Sequence, residues 1–519
     1  MKKLVGAGLL VSIVIAIMVV VKLMLPTLQD RQQKSSSDAA ETKGQIRIDV
    51  DNWVGYFPLI SPEMKKALRR SGYNWVVTDD NADYAKRMKR LKNGDCDFAV
   101  ATVDSYLLNS KDLGFPSVIV AVVDESKGGD AIVARADRVK NLDDLKGRTD
   151  IRVAYTPQSP SHHLLKGTAI NFAVPELLPN NELKIETQGS DGALKKLLSG
   201  TADVAVLWEP DVSKALANKG LVKLLGTEDT TKFIVDILLV NRAFASEHGD
   251  LVKLVLGNYF KVLKRYREDE EKLIQDLQSS TQLPRDSIKP MLQGVKWINL
   301  TENCQRWYGL APPGAYAEEG LVNTIESTVH ILLQNKDFLT HPIPKEDPYR
   351  LMNSAFLNDL ALSDFSGFTS APATLNSPSG TLEAHFTPLT EAQWDQLQEV
   401  GSLEVKPIIF QSGTDQLQMM GKLELDKMSE KLAMYPNFRI LIKGHTAIQG
   451  DPEANKELSK NRADAVARYL TVTFNIHGNR LRALGCGGSE PLKMLPGESN
   501  RSYNYRLPRV QISLVKEVF

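Results

Sequence analysis

The chain has 519 residues, which at roughly 100 to 200 residues per domain predicts two or three domains. Its 42% hydrophobic and 24% charged residues exclude global disorder, collagen-like repeats and a protein with many membrane spans. Lysine plus arginine and aspartate plus glutamate each number 63, so the overall charge gives no basis for nucleic-acid binding, and we expect no nucleic-acid partner.

The N-terminal segment predicts a membrane anchor over residues 1–25. Eighteen residues from Leu4 to Val21 contain Ser12 as their only polar side chain, which is close to the length that spans a bilayer. A cleavable signal would place a small-residue site directly after this run, whereas VKLMLP follows, so we favour an uncleaved helix over a signal peptide. Lys2 and Lys3 then lie in the cytoplasm. We expect a single-pass protein of the inner membrane, with residues 26–44 as a flexible tether and the bulk of the chain in the periplasm.

The cysteines predict neither a disulfide framework nor a metal site. Cys96, Cys304 and Cys486 are too few and too scattered for either, although one disulfide remains open. We expect each to be a small buried side chain, and we expect no metal and no cofactor.

Residues 45–345 alternate short β-rich runs with helical runs. The predicted strands are QIRIDV, DFAVAT, SVIVAVV, IRVAYT, LKIETQ, DVAVLW and FIVDILLV, and the predicted helices include EMKKALRR, YAKRMKRLKNG, GALKKLLSG and VSKALANKG. This alternation predicts mostly parallel sheets covered on both faces. Two such sets lie on either side of RADRVKNLDDLKGRTD, so we expect two lobes, the second over about residues 138–232, and a mainly helical region over 250–335.

Polar and aromatic residues follow several of these strands, where open parallel sheets bind their ligands. The candidate ligand-binding residues are Trp53, Tyr56, Thr102, Asp104, Ser105, Asp124, Ser126, Gly129, Asp130, Ser159, Ser161, His162, Trp208 and Glu209. Each taken alone is more often explained by a helix cap, a turn or packing. Carboxylates outnumber the one nearby cation, Lys127, which favours an amine-bearing or heteroaromatic solute between aromatic rings. An anion held at Ser159 and Ser161 stays an open alternative.

The same motifs, taken in order, resemble a known family. WVGYFPL, RLKNGDCDFAVATVDSY, DESKGGDAIVA, LDDLKG and WEPDV are similar to periplasmic solute-binding proteins of the nitrate, taurine or alkanesulfonate, and thiamine-pyrimidine-precursor type, which serve ABC transporters. The resemblance implies a two-lobed clamshell whose loops face a ligand cleft, with an ABC permease as a candidate partner. The family also includes a pyrimidine synthase. We expect no enzyme here, because no nucleophile is paired with a base and the adjacent His162 and His163 would diverge by about 100° on a helix.

Residues 346–404, rich in Ser, Pro, Ala and Gly, predict a semi-structured connector that ends in a short helix, LTEAQWDQLQEV. Residues 405–519 then predict an α+β domain. Its strands are VKPIIF, FRILIKGHT, RLRALGCGGSEP and RVQISLV, and its helices are LQMMGKLELDKMSEKLAMY and PEANKELSKNRADAVARYLTVTF.

This last domain resembles the peptidoglycan-binding domain of the OmpA-like family. The motifs that carry the resemblance are GHTAIQGD and N-x-x-LS-x-x-RA-x-x-V, followed by G-x-G-x-x-x-P. The resemblance implies binding to the peptide stem of peptidoglycan, where a family Arg pairs with the diaminopimelate carboxylate and a family Asp with its ammonium. Arg462 stands at the Arg position, but Ala447 stands at the Asp position and the closing motif is altered, so we expect weaker or altered wall binding. The candidate peptidoglycan-binding residues are His445, Thr446, Asn455, Leu458, Ser459, Arg462, Arg506 and Arg509.

The sequence therefore predicts an α/β two-lobed clamshell followed by a separate α+β OmpA-like domain, with an N-terminal transmembrane helix. We expect a membrane-anchored envelope protein that binds a small solute and attaches to peptidoglycan, for sensing or for delivery to a transporter. The alternative is a scaffold between the inner membrane and the cell wall that has lost its ligand.

Overall fold

The computed structural model describes residues 42–310, 317–363 and 386–517. The predicted anchor, most of the predicted tether and part of the connector lie outside these ranges. In the part of the chain that the structure describes, none of the helices combines the length and the apolar character needed to cross a bilayer.

The first lobe is built on a six-stranded sheet. Its strands are β1 (Gly44–Val50), β2 (Tyr73–Asp79), β3 (Phe98–Thr102), β4 (Ser117–Ser126), β10 (Val235–Asn241) and β11 (Val295–Trp297), in the order β11-β4-β10-β3-β1-β2. The α-helices that pack around it are Phe57–Ile60, Pro62–Arg70, Tyr84–Asn93, Val103–Ser110, Arg242–Glu247, Gly249–Glu268, Glu270–Thr281, Arg285–Gln293, Leu300–Glu302, Gly320–Gln334 and Ala355–Leu362. The central strands β3, β4 and β10 are buried along their whole length, and most of their residues are apolar, with the polar residues near the strand ends.

The second lobe is built on a five-stranded sheet. Its strands are β5 (Asp130–Arg135), β6 (Val153–Tyr155), β7 (Lys184–Glu186), β8 (Val204–Trp208) and β9 (Leu221–Gly226), in the order β7-β6-β8-β5-β9. Its α-helices are Pro160–Asn171, Gly189–Leu198 and Asp211–Leu216. The chain enters this lobe through residues 127–129 and returns to the first lobe through residues 227–234. These two crossings make the predicted two-lobed fold.

The expectation of mostly parallel sheets is wrong. Strands β1, β2 and β3 run parallel, as do β6, β7 and β8, but β10 is antiparallel to β3 and β4, and β5 is antiparallel to β8 and β9. Parallel neighbours need a crossover connection, usually a helix, whereas the strands next to the interlobe crossings are free to run in the opposite direction.

The C-terminal domain contains a four-stranded sheet. Its strands are β12 (Gln398–Ser402), β13 (Arg439–His445), β14 (Leu481–Gly485) and β15 (Arg509–Lys516), in the order β12-β15-β13-β14. Its α-helices are Glu391–Asp395, Met419–Ala433, Pro452–Phe474 and Asn500–Arg506. The predicted strand VKPIIF is wrong, because residues 403–409 form no strand, and the edge strand is QEVGS, where we predicted the end of a helix. Pro407 has no N–H to donate to a neighbouring strand. Gly401, in the observed edge strand, packs close to the Phe172 ring, where a Cβ would lie 3.0 Å from a ring atom.

The C-terminal domain packs directly on the second lobe. Asn171 Nδ2 donates a buried hydrogen bond of 2.9 Å to the Tyr435 hydroxyl, and the rings of Phe172 and Tyr435 meet edge to face at 5.4 Å. Ser402 donates to Asp143 Oδ2 through both its backbone N–H and its hydroxyl, each at 3.0 Å. One continuous apolar core therefore joins the second lobe and the C-terminal domain.

Candidate functional site

Aromatic rings and carboxyl groups meet where the two lobes face each other. A small cavity there is lined by Asp51, Trp53, Tyr56, Tyr84, Asp130, Pro160, Trp208, Ile234 and Asp236. Its volume is about 20 Å³, which is room for about one water molecule. The lobes are thus closed on each other, and side chains fill most of the space between them.

Acidic side chains dominate the surroundings of this cavity. Six of them are buried, with at most 5% of each residue exposed: Asp51, Asp104, Asp124, Asp130, Asp236 and Glu209. The fully buried Arg87 balances part of this charge, since its guanidinium contacts Asp51 at 3.1 Å and Asp80 at 2.5 Å. Buried carboxylates are costly unless each is paired, so the excess of acid over base needs a physical explanation.

Two of these carboxyl groups lie side by side on neighbouring strands. Asp124 of β4 and Asp236 of β10 are cross-strand partners. Trp53 Nε1 donates to Asp124 Oδ1 at 3.1 Å, and the Tyr56 hydroxyl donates to Asp236 Oδ1. Burial raises the pKa of both aspartates, and the charge of Asp124 raises that of Asp236 further. The pair therefore retains protons near neutral pH.

Asp130 begins β5 at the first crossing and lies opposite Trp208 in the register. Burial raises its pKa to about 7, against the lowering effect of the Ser126 hydroxyl, which donates to Asp130 Oδ2 at 2.6 Å. Asp130 thus changes its charge near physiological pH, at the point where the chain passes between the lobes.

Two glycines allow the close packing of this site. A Cβ on Gly129 would lie 2.2 Å from Trp53 Cη2, and a Cβ on Gly55 would lie 2.2 Å from Asp124 Oδ2. Real Cβ atoms do not approach so closely, so a larger residue at either position would displace the indole or the carboxylate.

The two crossings are tied to each other by Thr227. Its hydroxyl oxygen lies 2.7 Å from the Ser126 hydroxyl and accepts from the backbone N–H groups of Gly128 at 3.0 Å and Asp130 at 3.2 Å. The two connecting segments are therefore joined by hydrogen bonds beside the cavity.

Of the predicted ligand-binding residues, Trp53, Tyr56, Asp130 and Trp208 line the cavity. The cavity is also lined by Asp51, Tyr84 and Asp236, which were not predicted from the sequence. The sequence does carry a signal for Asp236, which is an acid inside the otherwise apolar run FIVDILLV. Asp236 lies within β10 and therefore not in a loop after a strand, which is where open sheets are expected to bind their ligands.

The remaining predicted residues contact other groups around the cleft. Glu209 accepts from the backbone N–H and the hydroxyl of Ser213, which is a helix-capping role. Thr102 donates to the Ser105 hydroxyl at 2.9 Å, and that hydroxyl lies 3.1 Å from the Gln158 carbonyl of the other lobe and 3.5 Å from a carboxylate oxygen of Asp104.

The helix Pro160–Asn171 also carries predicted site residues. Ser159 donates to the Thr156 carbonyl at 2.6 Å, whereas the buried Ser161 hydroxyl has no partner within the described residues. His162 stacks on Tyr155 at 4.6 Å, and burial lowers its pKa to about 3, so the imidazole is neutral. Neither serine lines the cavity.

A second and larger cavity lies between the C-terminal domain and the second lobe. Its volume is about 1000 Å³, and it is lined by Arg462, Arg506 and Arg509 together with apolar residues such as Ile408 and Phe410. The Arg462 guanidinium lies 5.1 Å from the Phe410 ring centre and donates through Nε to the Thr414 carbonyl at 3.0 Å. Arg462 forms none of the ion pairs of the described residues, and burial lowers the pKa of its guanidinium.

Arg506 and Arg509 differ from Arg462 in their partners. Arg506 donates from Nε and Nη2 to the two carboxylate oxygens of Glu498, at 2.6 and 2.7 Å. Arg509 donates to the backbone carbonyls of Leu507 and Glu490, each at 3.1 Å. Arg462 is thus the predicted arginine best placed to receive an anionic group.

The other candidate wall-binding residues hold the loop before the helix Pro452–Phe474. Thr446 N–H donates to the Gly487 carbonyl at 2.8 Å, and Ser459 Oγ accepts from Gly487 N–H at 2.9 Å. Asn455 Nδ2 donates to the Gln449 carbonyl at 3.0 Å. These residues, together with Leu458 and His445, do not line the cavity.

The next acid in the chain after Ala447 is Asp451, which caps a helix. Asp451 Oδ1 accepts from Ala454 N–H at 2.8 Å and so caps the helix Pro452–Phe474. Asp451 does not line the cavity either.

Comparison with known proteins agrees with this division of the chain. Residues 409–505 match the model of the OmpA family. The outer membrane protein Omp38 of Acinetobacter baumannii is 31% identical over 121 residues, which are 23% of this chain and 33% of Omp38. A peptidoglycan-associated lipoprotein of Rhizobium meliloti is 33% identical over 99 residues, which are 19% of this chain and 56% of the lipoprotein. The chain thus spans a third to about half of the length of these relatives.

Among solved structures, the periplasmic aliphatic sulphonate binding protein SsuA from Escherichia coli is similar to this chain. It shares 19% sequence identity at a TM-score of 0.44, and the match covers 57% of this chain and 94% of SsuA. The predicted OmpA-like domain is confirmed by the family match, and the predicted two-lobed fold by the sheets and crossings described above.

Proposed function

We propose that this protein is an envelope receptor that binds a small amine-bearing solute between its lobes and attaches to peptidoglycan through its C-terminal domain. The observation that carries the receptor role is the set of six buried acidic residues around an aromatic cavity, with Arg87 as the buried cation among them. A bound ammonium group would replace the protons that Asp124, Asp236 and Asp130 retain in the closed cleft.

The lining of the cavity favours a cation over an anion. Aromatic faces attract cations, and Trp53, Tyr56, Tyr84 and Trp208 all contribute to the wall. An anion would meet the field of the buried carboxylates, and no lysine or arginine lines this cavity within the described residues. The sulphonate in the name of SsuA is therefore not the ligand class that we propose for this chain.

Binding of a solute would require the lobes to separate and close again. The observed cavity of about 20 Å³ admits nothing much larger than water, so a larger amine enters only after the interlobe crossings have bent. Because the C-terminal domain shares a core with the second lobe, this motion would carry the wall-binding domain along with it.

We propose wall binding at the larger cavity, through Arg462. Its guanidinium would pair with a carboxylate of the peptide stem. The Rhizobium meliloti relative is, by its name, associated with peptidoglycan. Ala447 provides no charge for the ammonium of the stem, so we expect weaker attachment than in relatives with an acid there. With residues 1–25 as a membrane anchor, the chain would be held at both ends, which suits sensing or delivery to an adjacent permease.

Isothermal titration of the full chain in mild detergent tests the receptor role. The titrants are a panel of amines, with nitrate and an alkanesulfonate for comparison. We expect one amine class to bind and Asp130→Asn to weaken that binding about tenfold or more, because it removes one buried charge. The matched control Asp112→Asn changes an exposed acid of the first lobe and should bind like the wild type. Binding of the anions alone would contradict the proposal.

Co-sedimentation with purified peptidoglycan tests the wall-binding role separately. We expect Arg462→Ala to abolish sedimentation, whereas Arg468→Ala, at an arginine of the same helix whose side chain is 69% exposed, should not. Equal sedimentation of both variants would contradict the proposed role of Arg462.

The small size of the cavity favours a second candidate, a scaffold whose cleft is filled by its own side chains. In that case no titrant would bind, and the wall-binding result would be unchanged. We propose a binding role without catalytic turnover for either candidate.

A further inference from the structure

Three potential metal ligands converge at one end of the C-terminal sheet. Strands β13 and β14 are parallel neighbours in which Gly444 pairs with Gly485, so the next residues, His445 and Cys486, emerge side by side. The Cys486 N–H donates to the Gly444 carbonyl at 2.9 Å, and a turn closed by Ser489 N–H brings Glu490 back toward them. An imidazole nitrogen, the thiol sulphur and a carboxylate oxygen all lie within 4.8 Å of one another.

The buried side chain of His445 forms no hydrogen bond with any described residue. It is 1% exposed, and neither ring nitrogen forms a hydrogen bond within the described residues. A buried imidazole without hydrogen-bonding partners is destabilising, and a metal bond to one nitrogen would offset that cost. This buried and unpaired group points to a ligand at the cluster, independently of the cysteine.

Two cations lie near the cluster without occupying it. Lys443 Nζ is 3.8 Å from a Glu490 carboxylate oxygen, which is a loose contact, and the Glu490 side chain is 51% exposed. Arg509 is the cross-strand partner of His445, but its guanidinium donates to two backbone carbonyls. Glu490 is therefore free to turn toward His445 and Cys486.

We propose that His445, Cys486 and Glu490 bind one Zn²⁺ ion. Imidazole nitrogen, thiolate sulphur and carboxylate oxygen are ligand types of zinc, with bond lengths of about 2.0–2.3 Å. The three atoms lie within 4.8 Å of one another and would close around the ion as it binds. Binding releases the thiol proton of Cys486 to solvent, so thiolate and carboxylate balance the charge of the ion. Water completes the fourth position.

The site borders the loop that corresponds to the wall-binding motif. A Cβ on Gly488 would lie 2.8 Å from the Ala447 carbonyl, and Thr446 N–H donates to the Gly487 carbonyl. A metal held by Cys486 and Glu490 would fix residues 486–490 and, through these contacts, the loop at residues 446–450.

Cobalt substitution tests this proposal, using the full chain in mild detergent after reduction and removal of metals. We expect one Co²⁺ per chain with a thiolate-to-cobalt charge-transfer band in the near ultraviolet, and displacement of that band by Zn²⁺. Cys486→Ser should abolish the band. The control Cys304→Ala changes a buried thiol of the first lobe and should retain it.

Two further variants keep the test decisive. Glu490→Gln alters a half-exposed side chain, so it should fold normally and weaken Zn²⁺ binding about tenfold or more. His445→Asn should lose the thermal stabilisation that Zn²⁺ gives to the wild-type chain. The proposal is overturned if the wild type shows no band, if the band survives Cys486→Ser, or if Glu490→Gln binds Zn²⁺ as tightly as the wild type.

Discussion

The charge of Asp130 should make the stability of this protein depend on pH in a direction opposite to that of an ordinary ion pair. Burial raises the pKa of Asp130 to about 7 from 3.8, so the folded state holds a proton that the unfolded state releases. The free energy of unfolding should therefore fall as the pH rises from about 4 to about 7. About three pH units at about 1.4 kcal/mol each give a penalty on the order of 4 kcal/mol above pH 7.

Asp130→Asn removes this penalty while keeping an oxygen to accept from the Ser126 hydroxyl. We expect the variant to match the wild type near pH 4 and to exceed it by about 1–4 kcal/mol near pH 8. Urea unfolding followed by tryptophan fluorescence measures this difference, because Trp53 and Trp208 both line the cavity beside Asp130. The reasoning is refuted if the two proteins lose stability in parallel between about pH 5 and about pH 8.

Two further substitutions probe the packing of the lobes. Gly129→Ala should displace the Trp53 ring, because the new Cβ would lie 2.2 Å from Trp53 Cη2, and we expect a red shift of the tryptophan emission. The control Gly478→Ala places its Cβ with no heavy atom within 4 Å and should leave the emission spectrum unchanged. Tyr435→Phe should leave the buried Asn171 amide without its acceptor and weaken the docking of the C-terminal domain by about 1–3 kcal/mol. We expect faster limited proteolysis of the variant, while circular dichroism shows unchanged secondary structure.

Local patterns account for most of the secondary structure. The run DFAVAT, bounded by Gly94 on one side and polar residues on the other, predicts a buried strand, and β3 is that strand. Trp53, Tyr56, Asp130 and Trp208 could be predicted because they lie at the ends of strands or in the loops that follow them, where a ligand approaches an open sheet. The edge strand β12 was missed, because QEVGS continues a helical pattern and becomes a strand only by pairing with β15.

Contacts between distant parts of the chain could not be predicted in the same way. Asp236 becomes part of the cleft because β10 returns from the second lobe and pairs with β4, which places it opposite Asp124. His445 and Cys486, 41 residues apart, become neighbours through the parallel register of β13 and β14. Neither relation leaves a local trace in composition or periodicity.

The sequence by itself determined the two-lobed α/β class, the OmpA-like domain and the acidic, aromatic character of the cleft, because these follow from residue types at fixed local spacing. The tertiary structure decided that the cleft is closed around buried carboxyl groups. It also decided that the C-terminal domain shares a core with the second lobe, through contacts such as Asn171 with Tyr435. These features depend on which surfaces pack together. A pattern of apolar residues is compatible with many packing partners, and only complementary shape and hydrogen bonding specify one of them.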